Sequence, residues 1–308
     1  MTLVISVATP GCALHVSDRL VSKAGAPYDA YANKTIVFRA TDGLVAIGYT
    51  GAAFLDGIPT DTWIADVVSG GVCAGLDGAI MHGTFPIRDT GSTLAELSQR
   101  LRASLVFEAL HGVVCATGWQ WNARRKRAYC RPVLWVLNRD SGALRWRQYM
   151  PRHLPERRTQ FRMFWIGDWP LGDEAWSDLV TSVGAAGPDV DLVEDMIVNR
   201  IREASEQRVG SIGGHCMSVV VKPGAGYPNA RVRFLPATPH FARAFDQDVD
   251  VAFTPWMVAP DAIHAPALTV SGLNCGQGLL TYAIEAPDVP DEQILKGAFQ
   301  TQRRPSSG

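Results

Sequence analysis

Residues 1–22, MTLVISVATPGCALHVSDRLVS, carry the pattern from which the fold is predicted. Residues 3–7 are mostly β-branched and apolar, residues 10–11 are a Pro-Gly turn, and residues 12–16 form a second apolar run. This pattern predicts a β-hairpin whose first strand begins at the second residue, with no leader before it. Because chain ends are usually frayed and polar, a strand at this place indicates that residue 2 is held rigidly.

Further strands and helices are predicted down the chain. Residues 34–53, KTIVFRATDGLVAIGYTGAA, have the composition and the Asp-Gly turn of a second hairpin. Capping signals predict two helices, one that begins at Thr60 or Asp61 and one in which Thr93 and Glu96 form a capping box. Periodicity predicts the remaining elements, namely strands within 112–121, 132–149, 161–167, 215–223 and 230–236, and helices over about 172–182 and 189–208.

The order of these elements predicts the fold class. Blocks of strands alternate with blocks of helices, which predicts an α+β protein with layered sheets and outer helices rather than a doubly wound parallel sheet. We assign residues 1–235 to this domain. Residues 236–308 are rich in proline and are assigned as a C-terminal extension of unknown role, with a polar tail that is disordered from about residue 300. Residues 69–91 are glycine-rich and aperiodic and are predicted to be a loop.

Composition argues against several classes of function. The chain has 308 residues, of which 47% are hydrophobic and 19% charged, and its net charge of −1 favours neither nucleic acid nor an anionic membrane. The six cysteines and seven histidines are scattered without CxxC, HxxxH or HExxH spacing, so we predict neither a metal site nor a cofactor. No apolar run has the length of a membrane span and no signal-peptide pattern opens the chain, which predicts a cytoplasmic protein.

Three residues at equal spacing carry a resemblance to a known family. Thr2, Asp18 and Lys34 follow one another at intervals of sixteen residues, Asp18 is followed by Arg19, and Lys34 is one of only five lysines. In this pattern the chain resembles proteasome β-subunits and the bacterial HslV-type peptidases, which are N-terminal nucleophile (Ntn) hydrolases. The resemblance implies a four-layer αββα sandwich, in which two antiparallel sheets lie between helical layers.

The resemblance also implies a catalytic site. Thr2 is the implied nucleophile, and its own α-amine, which titrates near about 8, is the implied base. Lys34 is the implied cation beside the hydroxyl, where it lowers the pKa values of the hydroxyl and the amine, and Asp18 holds that ammonium in place. Backbone N–H groups in the glycine-rich segment, at Gly48 and Gly51, are the implied oxyanion hole.

Other positions fit the family pattern less closely. Arg19, Asp168 and Ser211 are the implied supporting residues, and Asp168 stands where the family has a serine. The positions at which the family has a further aspartate and serine are taken here by Val209 and Ile212. These departures affect the residues that would tune the pKa values of the catalytic groups.

The sequence predicts one function and leaves two alternatives open. The prediction is a threonine-nucleophile amide-bond hydrolase that acts on a peptide or a small amide and is activated by removal of Met1. A catalytically inactive scaffold or binding subunit of the same fold is the first alternative. The second is nucleic-acid binding through the basic cluster at 124–131, which a solvated hairpin tip explains better in a chain of neutral charge. We expect a homo-oligomer, in which the hairpin at 119–149 and the C-terminal extension either make new contacts or block ring closure.

Overall fold

The structure is a computed structural model and confirms the predicted α+β class. It describes residues 2–23, 26–29, 32–73, 80–109, 112–121, 131–140, 143–149, 161–222, 229–235, 237, 252–266, 268–269, 276–277 and 280–282. Within these ranges the helices are α1 (Thr60–Ser69), α2 (Thr90–Ala103), α3 (Leu105–Ala109), α4 (Gly172–Ala186) and α5 (Val190–Gln207). The strands are β1 (Leu3–Ala8), β2 (Ala13–Asp18), β3 (Val21–Lys23), β4 (Ala26–Asp29), β5 (Thr35–Arg39), β6 (Gly43–Thr50), β7 (Phe54–Leu55), β8 (Ile58–Pro59), β9 (Ile80–His82), β10 (Val113–Gln120), β11 (Arg131–Asp140), β12 (Ala143–Tyr149), β13 (Arg162–Gly167), β14 (Cys216–Lys222), β15 (Asn229–Leu235), β16 (Ala252–Phe253), β17 (Met257–Val258), β18 (Ala262–His264), β19 (Leu268–Thr269), β20 (Gly276–Gln277) and β21 (Leu280–Tyr282).

Most of the strands lie in two large sheets. Sheet I has the order β13-β1-β2-β14-β15-β21-β20, and sheet II has the order β12-β11-β10-β6-β5-β17-β18-β9. Among the described strands, neighbours are antiparallel except in two pairs, β15 with β21 and β17 with β5. The expectation of purely antiparallel sheets is therefore wrong. In each parallel pair one strand comes from the C-terminal extension, and the long connection that precedes it satisfies the need of parallel strands for a crossover.

The first predicted hairpin is formed by β1 and β2. In its register Val4 lies opposite Ser17 and Ala8 lies opposite Ala13. On its other side β1 pairs with β13, where Leu3 lies opposite Gly167. Because β1 has a hydrogen-bonded neighbour on both sides, the start of the chain is held by β2 and β13 together.

Apolar side chains join the sheets and hold the helices against them. The two sheets contact each other through a buried cluster that includes Ala13 and Met217 from sheet I and Val37 and Leu44 from sheet II. Helices α4 and α5 pack against sheet I in a second cluster. Helices α1 and α2 pack against sheet II in a third. The hydrophobic core is therefore divided into layers, with the strands of the first hairpin between two of them.

A buried ion-pair network fixes α5 to sheet I. The Glu194 side chain on α5 is fully buried, and it accepts hydrogen bonds from Ser218 on β14 and from Arg233 on β15. Arg231, on the same strand as Arg233, forms an ion pair with Asp191 at 2.6 Å. A buried carboxylate destabilises a fold unless it is paired and hydrogen-bonded, so these contacts explain how α5 tolerates a charge on its inner face.

The starts of the first two helices differ from their predicted caps. Helix α2 follows Asp89, whose side chain accepts a hydrogen bond from the Ser92 N–H at 2.9 Å. Thr93 and Glu96 therefore do not form the expected capping box. Helix α1 follows Pro59 and has no side-chain cap, so neither of the two residues proposed for that role occupies it. Both segments offer several polar residues in a row, and local sequence does not choose between them.

The predicted loop and the C-terminal extension both contribute strands to sheet II. Strand β9 lies within the predicted loop at 69–91 and pairs with β18. In the extension at 236–308, β17 pairs with β5, and the Trp256 side chain is buried. Such strands are too short to show a periodicity, and their partners are remote in the chain. The division of the chain at residue 235 stays a prediction, while residues 254–266 pack against the sheet.

Some of the predictions concern parts of the chain outside the described residues. Met1, the tail from about residue 300 and nearly all of the basic cluster at 124–131 lie there. In the part that is described, no helix has both the length and the apolar character needed to cross a membrane. Nor do the described side chains contain a group of three His, Cys, Asp or Glu residues arranged to hold a metal ion.

Candidate active site

A buried ion pair joins two of the residues that the sequence singled out. The Lys34 ammonium donates a hydrogen bond to Asp18 Oδ2 at 2.9 Å, and both side chains are almost fully buried. The ammonium also donates to the Leu20 carbonyl oxygen, so two of its three donors are used. Asp18 ends β2 and Lys34 precedes β5, so the pair connects sheet I to sheet II.

The Asp18 carboxylate accepts hydrogen bonds from four donors. Its Oδ1 accepts from the Leu3 N–H at 2.8 Å, and its Oδ2 accepts from the N–H groups of Leu20 at 3.1 Å and Gly213 at 3.0 Å. The fourth donor is Lys34. A carboxylate with this many donors is compensated for the loss of water. The bond from Leu3 matters most for the site, because it fixes the peptide at the start of β1.

Thr2 lies immediately before β1 and is anchored through its backbone. The residue is 8% exposed, and its carbonyl oxygen accepts a hydrogen bond from the Asp168 N–H at 2.9 Å. Gly167 has φ of 99°, and a Cβ on it would lie 1.8 Å from the Thr2 carbonyl oxygen. Only glycine therefore allows the end of β13 to come this close to Thr2.

Burial changes the acid–base character of Lys34. Loss of hydration lowers the pKa of Lys34 from its ordinary value of 10.5, and the nearby Asp18 carboxylate offsets part of that effect. Cys216 and Asp29 act in the same direction as Asp18, more weakly. A lysine with a lowered pKa gives up its proton more readily than a surface lysine does. Because structural ion pairs and functional sites both contain groups with altered pKa values, the catalytic role of Lys34 stays a prediction.

The two glycines expected to form an oxyanion hole lie in different surroundings. Gly48 is inside β6, paired with Thr35 on one side and Cys115 on the other, and a Cβ on it would lie 2.3 Å from the His15 ring. Gly51 lies just after β6, is exposed and has φ of 95°. The close approach of the imidazole explains why residue 48 is glycine. Of the two, only Gly51 is exposed to solvent.

The three predicted supporting residues lie at the ends of β2, β13 and α5. The Arg19 guanidinium lies over the Phe234 ring, 4.9 Å from its centroid. Asp168 Oδ2 forms an ion pair with Arg208 Nε at 3.3 Å. The Ser211 N–H donates to the Arg208 carbonyl oxygen at 2.9 Å. Asp168 thus touches the site through its backbone, and the catalytic role of all three residues stays a prediction.

The loop after α5 contacts the ion pair through its main chain. Val209 is exposed, whereas Ile212 is buried among the residues that α4 and α5 pack against sheet I. Neither side chain can form hydrogen bonds, in line with the departures that the sequence shows at these two positions. The N–H of Gly213 makes the contact to Asp18 instead.

Sequence reasoning missed a buried polar network between the two sheets. His15 Nδ1 lies 2.9 Å from Ser6 Oγ, and His15 Nε2 lies 3.1 Å from Thr35 Oγ1. Ser17 Oγ lies 3.2 Å from the same Thr35 oxygen. All four residues are buried, and two of them adjoin the ion-paired residues in the chain. The polar residues at alternate positions of β2 indicate that one face of this strand carries polar side chains. They do not show which strand of the other sheet that face contacts.

The buried imidazole predicts that the fold loses stability in acid. Burial lowers the pKa of His15 to about 3, while its ordinary value is 6.5. Below pH 6.5 the unfolded chain binds a proton at this residue and the folded chain does not, so stability falls as the pH drops from 6.5 towards 3. The loss is about 1.4 kcal/mol per pH unit.

Urea unfolding at pH 7 and at pH 4.5 measures this effect. His15→Gln is the matched variant, because an amide can keep hydrogen bonds to Ser6 and Thr35 but does not titrate. We expect the difference between the two pH values to be smaller in the variant by about 2–3 kcal/mol. The same pH dependence in both proteins would contradict the assignment.

When the chain is compared with known proteins, only solved structures of low similarity are found. No family model matches the chain, and no curated protein matches it. Solved structures that resemble it include the Anbu (Gly-1) mutant from Hyphomicrobium sp. strain MC1, with a TM-score of 0.46, 9% identity and coverage of 72% of this chain and 82% of that one. Another is Anbu (ancestral beta-subunit) from Yersinia bercovieri, with a TM-score of 0.43, 8% identity and coverage of 74% of this chain and 86% of that one. Similarity this low supports no conclusion about activity.

These comparisons correct the family suggested by the sequence. The resemblance to proteasome β-subunits and HslV-type peptidases is wrong as an assignment, because no family model matches and the similar structures are named Anbu. The physical reason is that the resemblance depended on three residues at equal spacing and on a short Asp-Arg pair. Spacing of this kind follows from the lengths of two hairpins, and hairpins of the same length recur in different families.

Proposed function

We propose that the protein is an N-terminal threonine hydrolase that cleaves an amide bond in a peptide or a small molecule. The observation that carries the proposal is the buried pair of Asp18 and Lys34, tied to the start of β1 by the hydrogen bond from the Leu3 N–H. A buried ion pair is weak evidence for stability on its own. This one is hydrogen-bonded to the peptide that joins Thr2 to Leu3, and buried charges with altered pKa values are concentrated at functional sites.

The proposed reaction begins after removal of Met1. The α-amine of Thr2 takes the hydroxyl proton, directly or through a water, while Oγ1 attacks the carbonyl carbon of the amide. The N–H of Gly51 stabilises the negative charge that forms on the former carbonyl oxygen. The protonated α-amine of Thr2 then gives its proton to the leaving amine. That amine departs and leaves an ester on Thr2 Oγ1. Water hydrolyses this ester by the same steps, which releases the acid and restores the free threonine.

Lys34 supports the first step as a cation. Its charge favours the deprotonated hydroxyl and lowers the pKa of the α-amine, so that more of the amine is neutral at the working pH. Asp18 keeps the ammonium in place, and three backbone N–H groups in turn hold the Asp18 carboxylate. Without that carboxylate, burial would favour the uncharged lysine.

The finer architecture is part of the proposal. The packing of α4 and α5 on sheet I, of the sheets on each other, and of α1 and α2 on sheet II supports a four-layer αββα arrangement. We also propose a cytoplasmic homo-oligomer. Light scattering at micromolar concentration tests the assembly, and a mass of about one chain would contradict it.

Intact mass and covalent labelling test the reaction. We expect protein made in cells with normal methionine aminopeptidase to lack Met1 and to react at Thr2 with a β-lactone or an epoxyketone. Thr2→Ala should lose the label, because no other group provides both the hydroxyl and the α-amine. Thr181→Ala is the matched control, since Thr181 lies on α4 with its hydroxyl bonded to the Ser177 carbonyl oxygen. Retention of Met1, or equal labelling of Thr2→Ala, would overturn the proposal.

A non-catalytic scaffold is the second candidate. The observation that favours it is the loop after α5, where an exposed Val209 and a buried Ile212 replace polar residues. Absence of Met1 together with no reaction of the wild-type protein with either probe would support the scaffold. The nucleic-acid alternative depends on residues 124–131, and a salt-dependent mobility shift with RNA and DNA tests it.

A further inference from the structure

Asn33 joins the peptide before Lys34 to a remote segment of the chain. Its side-chain Nδ2 donates a hydrogen bond to the Thr254 carbonyl oxygen at 2.9 Å. Its own carbonyl oxygen accepts from Tyr49 Oη at 3.0 Å, and the Lys34 carbonyl oxygen accepts from the Tyr49 N–H at 3.3 Å. The backbone that leads into Lys34 is therefore held from two sides, by the end of β6 and by the residues before β17.

The segment at 254–258 is itself firmly anchored. The Val37 N–H donates to the Trp256 carbonyl oxygen at 2.9 Å, and β17 continues the pairing in parallel with β5. The Trp256 side chain is 1% exposed, and its Nε1 donates to Thr62 Oγ1 on α1 at 3.1 Å. A backbone held by sheet pairing and by a buried indole gives Asn33 a fixed point of attachment.

One atom of the Asn33 side-chain amide is unsatisfied within the described part of the chain. The residue is 7% exposed, and among the described residues its Oδ1 is a buried acceptor without a hydrogen-bond partner. A buried polar atom that has lost water and gained no partner lowers stability. An apolar side chain of similar size would avoid that cost. The amide is therefore explained by what its donor holds, which is the backbone of Lys34.

We infer that Asn33 is a positioning residue that ties Lys34 to the segment at 254–258, so that part of the C-terminal extension belongs to the catalytic arrangement. This inference rests on the proposed function. Asn33 touches no reacting atom and acts through Lys34 alone. A displacement of about 1 Å in a catalytic group can cost about a hundredfold in rate, so loss of this attachment should be visible in the chemical step.

Asn33→Leu tests the inference, because it keeps the volume of the side chain and removes the donor. We expect the maximal rate of labelling of Thr2 by a β-lactone to fall about tenfold or more. The concentration of reagent that gives half of this rate should not change, and the melting temperature should stay within about 2 °C of wild type. Thr62→Val is the matched control, because it removes a hydrogen bond to the same segment away from Lys34. It should lower the melting temperature and leave the labelling rate unchanged.

Two results would overturn the inference. One is an unchanged labelling rate in Asn33→Leu. The other is a fall in labelling rate together with a melting temperature well below that of wild type and weaker binding of the reagent. That combination would mean that the substitution damages the fold and does not act on Lys34.

A second measurement separates this inference from the proposed function. If wild-type protein is not labelled at all, the proposed function fails. The positioning role of Asn33 is then tested by the rate at which an amine-reactive ester acetylates Lys34, measured relative to the rate for Lys222. We expect the acetylation rate of Lys34 to be several-fold higher in Asn33→Leu than in wild type. Equal rates in wild type and Asn33→Leu would overturn the positioning role.

Discussion

Asp18→Asn is expected to abolish labelling of Thr2 and to lower the free energy of unfolding by about 3 kcal/mol or more. The substitution keeps the shape of the side chain, but Asp18 accepts from Lys34 and from three backbone N–H groups. An amide nitrogen turned towards these donors repels at least one of them. Burial already lowers the pKa of Lys34, and loss of the Asp18 carboxylate, which raises that pKa, lowers it further and disfavours the ammonium.

Urea unfolding and the rate of β-lactone labelling measure the two effects. Asp42→Asn is the matched control, because Asp42 accepts from the Thr90 N–H at 2.7 Å, from Thr90 Oγ1 at 2.6 Å and from Gln120 Nε2 at 2.8 Å. It lies at the other end of β5 from Lys34. The control should lose stability and keep its labelling rate. Wild-type labelling of Asp18→Asn, or equal losses of labelling in both variants, would show that the ion pair has no part in the reaction.

Local sequence was sufficient for the part of the site that the first hairpin determines. A strand, a turn and a returning strand bring Asp18 back to the start of the chain, and the structure records this return as the bond from Leu3 to Asp18. The pairing of Asp18 with Lys34 at 2.9 Å was expected only from the family resemblance, because it connects strands of different sheets. The first contact depends on the geometry of one hairpin, which a few residues determine.

Contacts between remote segments could not be predicted in this way. The Gly213 N–H reaches Asp18 across 195 residues of chain, and Asn33 reaches Thr254 across 221. Both involve a main-chain atom, which leaves no trace in residue type. His15 could be identified as a polar residue in a buried strand, but not as the reason for a glycine on the facing sheet.

The family assignment failed for a related reason. Equal spacing of three residues reports the lengths of the hairpins, and a different family can share those lengths. The placement of residues 254–258 beside Lys34 was also outside the reach of sequence patterns, because a strand of two residues has no periodicity and its parallel partner lies far away in the chain.

Gly167→Ala is expected to abolish labelling of Thr2 while the rest of the fold remains. Gly167 has φ of 99°, a conformation that costs an L-residue about 1–2 kcal/mol. In addition, the new Cβ would lie 1.8 Å from the Thr2 carbonyl oxygen and 3.2 Å from Thr50 Cγ2. Such an overlap with main chain cannot be relieved by a rotamer change, so β13 and the start of β1 must separate. The hydrogen bond from the Asp168 N–H to the Thr2 carbonyl oxygen is then lost, and Thr2 is displaced from its place before β1.

Gly172→Ala separates the overlap from the strain of the backbone. Gly172 has φ of 81°, but a Cβ on it would meet no atom within 4 Å. Both variants therefore carry a similar conformational cost, and only Gly167→Ala displaces Thr2. We expect Gly172→Ala to lose about 1–2 kcal/mol in urea unfolding and to label normally, and Gly167→Ala to lose at least a hundredfold in labelling rate. Equal labelling of the two variants would mean that the approach of β13 to Thr2 does not position the nucleophile, and the proposed site would have to be sought elsewhere.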